Sequence, residues 1–227
     1  MKVGIILTND ERSRAYLQKL QQQKILLDSY VLMNNAIEIE FSKEVISTSK
    51  KFGFDISEST KNTLLKNNIL FNEFNFLDIN HPKLINFLKE ENCDYFIFTG
   101  GGILKKDILN LPIKFIHMHP GIVPHYRGST CFYYSILNEQ SAGVTAFIMD
   151  KNLDTGNVIY QKKFEKPNHQ FIDEVYDPFI RSETLMDILQ RQILKESNFS
   201  QQDPKNGETY FIIHPVLKHI AILNCIN

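Results

Sequence analysis

Residues 113–164 read IKFIHMHPGIVPHYRGSTCFYYSILNEQSAGVTAFIMDKNLDTGNVIYQKKF, and their apolar runs, histidines and glycines guide the interpretation of the whole chain. The apolar run at residues 113–116 predicts a buried strand. Proline and glycine are frequent over residues 120–128, and both interrupt regular structure. We therefore expect His117 and His119 at or just past the end of this strand, on a loop.

Two more apolar runs, residues 143–149 and 157–164, predict further strands with an acidic turn between them. Open α/β sheets bind ligands at the ends of their strands. A histidine exchanges protons near neutral pH, and a neighbouring aspartate can fix its tautomer and stabilise the imidazolium. His119 and Asp154 are therefore a candidate acid–base pair, provided that adjacent strand ends bring them together.

The chain upstream of these residues predicts a layered α/β fold. Residues 2–8, 11–24 and 25–33 predict a strand, a helix and a second strand, which is the start of a doubly wound sheet. Apolar runs at residues 69–76 and 94–99 predict two more strands. We therefore expect an α/β protein with a doubly wound, mainly parallel twisted sheet. The first turn lacks a GxGxxG fingerprint, so no dinucleotide site is expected.

Helical patterns and one long polar segment fill the intervals between the predicted strands. Helices are expected over residues 82–92, 129–139 and 178–196. Residues 34–68 are polar, and we interpret them as a surface helix with loops, either a solvated connector or a lid. The tail, residues 210–226, is apolar and is expected to pack back on the domain.

Composition narrows the class of protein and its partners. The chain has 227 residues, 43% of them hydrophobic and 22% charged, which is ordinary for a globular protein. Cys93, Cys131 and Cys225 are odd in number and form no CxxC pair, so a reducing cytoplasm is expected. The net charge of −1 predicts no nucleic-acid partner. No apolar run approaches the roughly 20 residues that span a bilayer, so no membrane association is expected.

The two loops and their flanking strands resemble a known family. HMHPGIVPHYRG and GVTAFIMDKNLDTGNVI are similar to the signature of the folate-dependent formyltransferases, Asn-x-His-Pro-Ser-x-x-Pro-x-x-Arg-Gly, then Gly-Val-Thr, then Asp-[Thr/Ala]-Gly. The matching residues are His119, Pro120, Pro124, Arg127, Gly128, Gly143, Val144, Thr145, Asp154 and Gly156. In two departures, the family's catalytic asparagine falls on His117, and Gly121 stands where serine is usual.

The resemblance implies a Rossmann-like formyltransferase core over residues 1–196. Residues 197–227 are then a short C-terminal extension packed on that core. This layout is closest to that of the sugar N-formyltransferases.

The resemblance also implies the chemistry, transfer of a formyl group from N10-formyltetrahydrofolate to an amine. His119 would move protons between the attacking amine and the departing folate nitrogen, while Asp154 would hold His119 and raise its basicity. The hydrogen bond from the family's asparagine to the formyl oxygen would come from His117 or be lost. The alternatives are therefore a formyltetrahydrofolate hydrolase and a retooled or inactive relative.

Ligand contacts follow from the same resemblance. Three glycines at residues 100–102 form either a tight turn or a ligand-binding backbone. The family places its pterin ring against this loop, which implies folate contacts at Gly102, Ile103 and Leu104. A further folate contact is expected at Asp150 of the acidic turn. Contacts with the acceptor are expected from Thr8, Asn9 and Arg127. Arg127 could equally bridge a loop carboxylate. No metal is expected, although His117, His119, His125 and Asp154 have the side chains of a ligand set.

The acceptor is inferred by elimination among those of the family. The missing glycine- and serine-rich phosphate loop disfavours a glycinamide ribonucleotide, and the short tail and neutral charge disfavour a tRNA. A dTDP- or UDP-linked amino sugar remains as the small-molecule substrate. Phe132, Tyr133 and Tyr134 could stack on its base or fill the core. The apolar stripe of residues 178–196 indicates core packing or a homodimer contact.

Overall fold

A computed structural model describes residues 1–34, 39–196 and 198–226. Residues 35–38 of the expected connector, and residue 197 of the expected C-terminal extension, lie outside the described residues. The chain divides into two compact units, Met1–His117 and Met118–Asn227.

The first unit alternates strands and helices. Its elements are β1 (Val3–Leu7), α1 (Glu11–Gln22), β2 (Ser29–Met33), α2 (Lys43–Lys51), α3 (Thr60–Lys66), β3 (Asn72–Phe74), α4 (Pro82–Glu90), β4 (Tyr95–Phe98) and α5 (Lys106–Leu109). All residues of β1, β2 and β4 are buried, as expected of strands covered on both faces. Asp10 caps α1 by accepting a hydrogen bond from the Ser13 amide, and Pro82 opens α4.

The strand β5 (Lys114–His119) leads into the second unit. There follow β6 (Tyr126–Gly128), α6 (Cys131–Glu139), β7 (Ser141–Ile148), β8 (Val158–Glu165), a π-helical turn (Ile172–Tyr176), α7 (Asp177–Gln190), β9 (Glu208–Tyr210) and α8 (Pro215–Ile226). Two short 3₁₀ turns, Ile193–Lys195 and Pro204–Asn206, lie between α7 and β9.

Seven strands form one sheet in the order β3-β2-β1-β4-β5-β7-β8. The pairs β1–β2, β1–β4, β2–β3 and β4–β5 are parallel, whereas β7–β8 is antiparallel. β6 and β9 form a separate parallel pair. The prediction of an α/β fold with a mainly parallel sheet is confirmed. Among the described residues, no helix has the length and apolar character needed to cross a membrane.

The structure differs from the prediction at the end of β5. His117 and His119 belong to the strand, whereas the sequence placed them at its end on a loop. Strand pairing decides the outcome, because His117 is still in register with Phe98 of β4. Pro120 follows directly and has no N–H to continue the ladder, so the strand ends at His119.

Candidate active site

His119 is the last residue of β5, and its side chain is only 2% exposed. Its ring contacts two hydrogen-bond acceptors of the second unit. Nε2 lies 2.8 Å from the carbonyl oxygen of Tyr126, and Nδ1 lies 3.4 Å from Oδ2 of Asp154. The structure thus brings together the two members of the expected acid–base pair.

Asp154 is held from two directions. Its Oδ2 accepts a hydrogen bond of 2.7 Å from the backbone amide of Gly128. Its backbone has φ = 52°, in the left-handed region that a non-glycine residue rarely adopts, although aspartate tolerates it better than most. Two residues later, a Cβ atom on Gly156 would lie 1.6 Å from the Ile148 carbonyl oxygen. The Asp-x-Gly sequence is therefore required by a turn that closes tightly on the end of β7.

The surroundings fix the tautomer of His119. A carbonyl oxygen only accepts hydrogen bonds, so Nε2 carries the hydrogen and donates it to Tyr126. In the neutral ring, Nδ1 then has its lone pair directed at Asp154. Protonation of Nδ1 produces an imidazolium that is paired with the Asp154 carboxylate. Nδ1 is therefore the nitrogen that can accept a proton, and Asp154 is placed to stabilise the result.

Burial and charge act on the pKa of His119 in opposite directions. Desolvation is the largest effect and lowers the pKa below its ordinary value of 6.5. The negative charge of Asp154 and the hydrogen bond to Tyr126 raise it. Arg181 also lowers it, and Asp177 raises it. The net shift is downward, so the ring is neutral near pH 7, as a general base requires.

Thr145 of the Gly-Val-Thr sequence supports the loop that follows β5. Its hydroxyl donates to the Gly121 carbonyl at 2.7 Å and accepts from the Val123 amide at 3.1 Å. A Cβ atom on Gly121 would lie 2.8 Å from the Tyr126 carbonyl oxygen, which is the oxygen that binds His119. This close approach accounts for glycine at position 121.

His117 is half-buried in β5, in the first unit. The centroid of its ring lies 6.2 Å from that of Phe98 in β4. Two positions separate His117 from His119 along the strand, so the alternation of side chains directs both to the same face.

A cavity of about 520 Å³ lies in the first unit at the carboxyl ends of β1 and β4. Its lining residues are Thr8, Asn9, Asp10, Arg12, Ile39, Leu77, Gly100, Gly101 and Gly102. Three expected ligand contacts, Thr8, Asn9 and Gly102, thus share one cavity. Ile103 and Leu104 do not line it. Ile103 is 85% exposed, and Leu104 is buried in the core.

The loops around this cavity are ordered by internal hydrogen bonds. The Thr8 amide donates to the Ser13 hydroxyl, which contacts Thr99 at 2.8 Å. The Asn9 side-chain oxygen accepts hydrogen bonds from Arg14 and from the Thr60 amide. Gly102 has φ = 98°, and a Cβ atom there would meet nothing within 4 Å. The backbone at Gly102 is therefore open to a ligand.

The other expected ligand contacts have different surroundings. Asp150 is exposed and accepts hydrogen bonds from the Asn152 amide and the Thr155 hydroxyl, so it organises its own loop. Arg127 is buried, and its Nη2 donates to the Gly207 carbonyl at 3.1 Å. Neither expected partner of Arg127, an anionic substrate or a loop carboxylate, is the acceptor of this hydrogen bond.

The aromatic residues of α6 are part of the packing of the second unit. Phe132 and Tyr133 are each 3% exposed, and the Tyr133 hydroxyl donates to Asp173 at 2.6 Å. Phe132 and Tyr133 therefore fill the core, which was one of the two alternatives that the sequence left open. Tyr134 packs against Tyr210 of β9, with ring centroids 4.4 Å apart.

Several contacts of the site had no signal in the sequence. The Tyr126 carbonyl and the Gly128 amide are backbone groups, which every residue carries. Asp10 and Arg12 line the cavity, but in the sequence they are typical of the first residues of a helix.

Within the described residues, no group of three or more His, Cys, Asp or Glu side chains could hold a metal ion.

Comparison with known sequences identifies a family and several relatives. A family model described as "Formyl transferase" matches residues 33–186. A methionyl-tRNA formyltransferase from Caldanaerobacter subterraneus subsp. tengcongensis is 30% identical over 148 residues, which are 62% of this chain and 47% of that protein. The chain spans about half the length of the curated relatives it matches.

Solved structures share the fold at low sequence identity. A sugar N-formyltransferase from Shewanella sp FDAARGOS_354 has a TM-score of 0.60 at 18% identity, covering 99% of this chain and 88% of its own. An N-formyltransferase from Helicobacter canadensis, in complex with folinic acid and dTDP-3-aminofucose, has a TM-score of 0.65 at 16% identity, covering 100% and 80%.

Burial of His119 predicts a specific pH dependence of stability. Because the folded-state pKa lies below 6.5, the unfolded chain binds this proton more readily. The contribution of neutral His119 is complete above pH 6.5 and is lost as the pH falls below it, with a slope of at most about 1.4 kcal/mol per pH unit. Chemical denaturation between pH 7 and pH 5 should show wild type losing more unfolding free energy than His119→Gln.

The matched control for this prediction is His125→Gln, which removes an exposed histidine from the following loop. It should keep the wild-type pH dependence. Parallel curves for wild type and His119→Gln would contradict the assigned shift.

Proposed function

The chain belongs to the formyl transferase family, and we propose that it transfers a formyl group from N10-formyltetrahydrofolate to the amine of a small acceptor. The observation that carries the proposal is the buried pair of His119 and Asp154 within the matched residues. A neutral, buried imidazole with a carboxylate beside it suits a reaction that must move a proton between two nitrogens.

The proposed reaction exchanges one carbon–nitrogen bond for another. The acceptor amine attacks the formyl carbon and forms a tetrahedral oxyanion. The bond from that carbon to N10 of the folate then breaks, and the proton lost by the amine is delivered to N10. The products are an N-formyl amine and tetrahydrofolate, with no oxidation or reduction.

We assign the proton transfer to His119. Its Nδ1 would take the proton of the attacking amine, because Nε2 already donates to Tyr126. Asp154 would stabilise the imidazolium while the proton waits for the departing folate nitrogen. The looser distance of 3.4 Å between Nδ1 and Oδ2 suits a nitrogen that must exchange its proton.

His117 is the proposed donor to the oxyanion. The family's asparagine would supply this hydrogen bond, and an imidazole N–H can replace it. Losing one such donor typically lowers the rate by a factor of about 10² to 10³. His117 thus determines whether the chain retains fast transfer, hydrolyses the folate or has lost the activity.

The reduced folate and the acceptor need a site of moderate size. The cavity beside Gly102 has a volume of about 520 Å³, within the usual range for small-molecule sites. The related Helicobacter canadensis enzyme was crystallised with folinic acid, which supports a folate donor here. We propose that Gly102 contacts the folate and that Thr8 and Asn9 contact the acceptor in this cavity. Outside its lining, we propose further folate contacts at Ile103, Leu104 and Asp150 and an acceptor contact at Arg127.

The proposed acceptor is a nucleotide-linked amino sugar. Two structural neighbours support it, since one is a sugar N-formyltransferase and the other was crystallised with dTDP-3-aminofucose. A methionyl-tRNA acceptor is the second candidate, favoured by the names of the sequence relatives.

Formyl transfer should be measurable as release of tetrahydrofolate. Purified protein is incubated with N10-formyltetrahydrofolate alone, with dTDP- or UDP-linked amino sugars, and with methionyl-tRNA. We expect release that depends on the amino sugar, because the amine is the nucleophile. Release without any amine would identify a hydrolase, and release with methionyl-tRNA alone would identify the second candidate.

Variants connect this activity to the site. His119→Gln and Asp154→Asn should each lower kcat by about 10² or more, because they remove the base or its partner, while His125→Gln keeps the wild-type rate. His117→Asn should keep or raise transfer. If wild type is inactive and His117→Asn is active, the histidine at position 117 accounts for the loss of formyl transfer.

The state of the cysteines supports a cytoplasmic location, which we propose. Cys93, Cys131 and Cys225 are free and buried. Burial raises the pKa of Cys131 to about 12, so its thiol stays protonated and unreactive.

Exposed apolar side chains support the proposal of a homodimer. Phe211 and Ile212 are 79% and 80% exposed, and the outward face of α8 continues with Val216, Leu217, Ile220, Leu223 and Ile226. Monomeric proteins rarely expose contiguous apolar patches above a few hundred Å². We propose that a second copy covers this face in a two-fold symmetric contact.

Charge introduced on this face should separate the copies. Leu217→Glu should convert a dimer to a monomer in light scattering coupled to gel filtration, because the new carboxylate would be buried without a partner. Leu70→Glu, at a 91% exposed position of the first unit, is the control and should stay dimeric. A monomeric wild type at high protein concentration would refute the proposal.

A further inference from the structure

The segment 198–210 reaches the turn that carries Asp154. The side-chain nitrogen Nε2 of Gln202 donates to the Asp154 carbonyl at 3.1 Å and to the Gly156 carbonyl at 2.7 Å. One amide group therefore ties both ends of the turn. We propose that Gln202 is a positioning residue, which keeps the Asp154 carboxylate against His119; the inference rests on the proposed role of that pair in formyl transfer.

Chemistry fixes the orientation of the Gln202 amide. Both of its partners are carbonyl oxygens, which only accept, so the NH₂ end must face the turn. Its Oε1 is buried and has no hydrogen-bond partner among the described residues. A buried acceptor without a partner is unfavourable. The hydrogen bonds from Nε2 stabilise the turn, whereas the buried Oε1 costs free energy. We therefore assign to Gln202 a role in positioning the turn.

The backbone that leads into Asp154 is poorly supported by its own neighbours in the chain. Asp154 adopts a strained left-handed backbone, and residues 151–153 before it are exposed. After it, Gly156 packs tightly on the Ile148 carbonyl. The carboxylate therefore lies between an exposed segment and a packed segment of one loop, and Gln202 holds the backbone on both sides of Thr155.

The segment that carries Gln202 is anchored on both sides of it. Ser200 exchanges backbone hydrogen bonds with Val158, at 2.8 and 3.1 Å. Further on, β9 pairs with β6, and Gly207 approaches the Pro124 carbonyl so closely that a Cβ atom would lie 1.7 Å from it. The Gln202 side chain thus extends from a fixed backbone, as a positioning role requires.

The test compares two adjacent glutamines. Gln202→Met keeps the length of the side chain but removes the donor, and Gln201→Met makes the same change at an exposed neighbour. The titration of the His119 ring is followed by NMR in both variants and in Asp154→Asn. Because the charge of Asp154 raises the pKa of His119, Gln202→Met should lower that pKa in the direction of Asp154→Asn. Gln201→Met should leave it at the wild-type value.

Two other charged groups act on His119, Arg181 and Asp177, and these substitutions do not alter either. A wild-type titration in Gln202→Met, beside a shifted one in Asp154→Asn, would overturn the proposal. Should Gln202→Met fail to fold, Gln202→Leu removes the NH₂ donors without adding a charge and gives the same test. Loss of stability without a shift at His119 would mean that Gln202 has only a structural role.

Kinetics give the second measurement. Displacing Asp154 by about 1 Å should lower kcat by up to about a hundredfold while KM for both substrates stays unchanged. Gln202→Asn keeps the amide on a shorter stem and should recover part of the rate. The titration requires no turnover, so a protein without formyl transfer would refute the proposed function and still leave Gln202 tested.

Discussion

The arrangement at the site depends on three residues of backbone, the short strand β6. At one end, the Tyr126 carbonyl accepts the hydrogen of His119 Nε2, and at the other, the Gly128 amide donates to the Asp154 carboxylate. One rigid piece of chain therefore sets the tautomer of the histidine and the position of the carboxylate. A carbonyl oxygen cannot donate a hydrogen bond and a backbone N–H cannot accept one, so these roles cannot be interchanged.

The fold buries two basic side chains, His119 and Arg181, in different charge states. His119 is almost fully buried, and desolvation keeps it neutral. The neighbouring Arg181 is buried too, but its Nε pairs with Asp177 at 2.8 Å and its Nη1 donates to the Met118 carbonyl. Arg181 therefore keeps its charge with a partner, whereas His119 is free to gain and lose a proton. Two buried basic side chains thus have different charge states and different roles within one unit.

The sequence allowed prediction of the fold and of the pairing of His119 with Asp154. Buried strands were visible as apolar runs, and the spacing of His119 and Asp154 matched a family motif. The backbone partners were not predictable, because hydrogen bonds of carbonyls and amides depend on chain path and not on residue type. The path also explains Gln202, whose surroundings in sequence are those of a polar loop. Ile103 and Leu104 show the same limit, since adjacent apolar residues can face solvent and core.

The pairing of β6 with β9 joins residues about 80 positions apart in the chain, in the register Tyr126 to Glu208. A three-residue strand has little stability without a neighbour, and contacts so distant in sequence form slowly because a long loop must close first. During synthesis on the ribosome, β6 emerges well before its neighbour does. Ordering of the histidine and carboxylate is thus tied to a segment made well after both of them, so a nascent chain acquires this geometry only after β9 has left the ribosome.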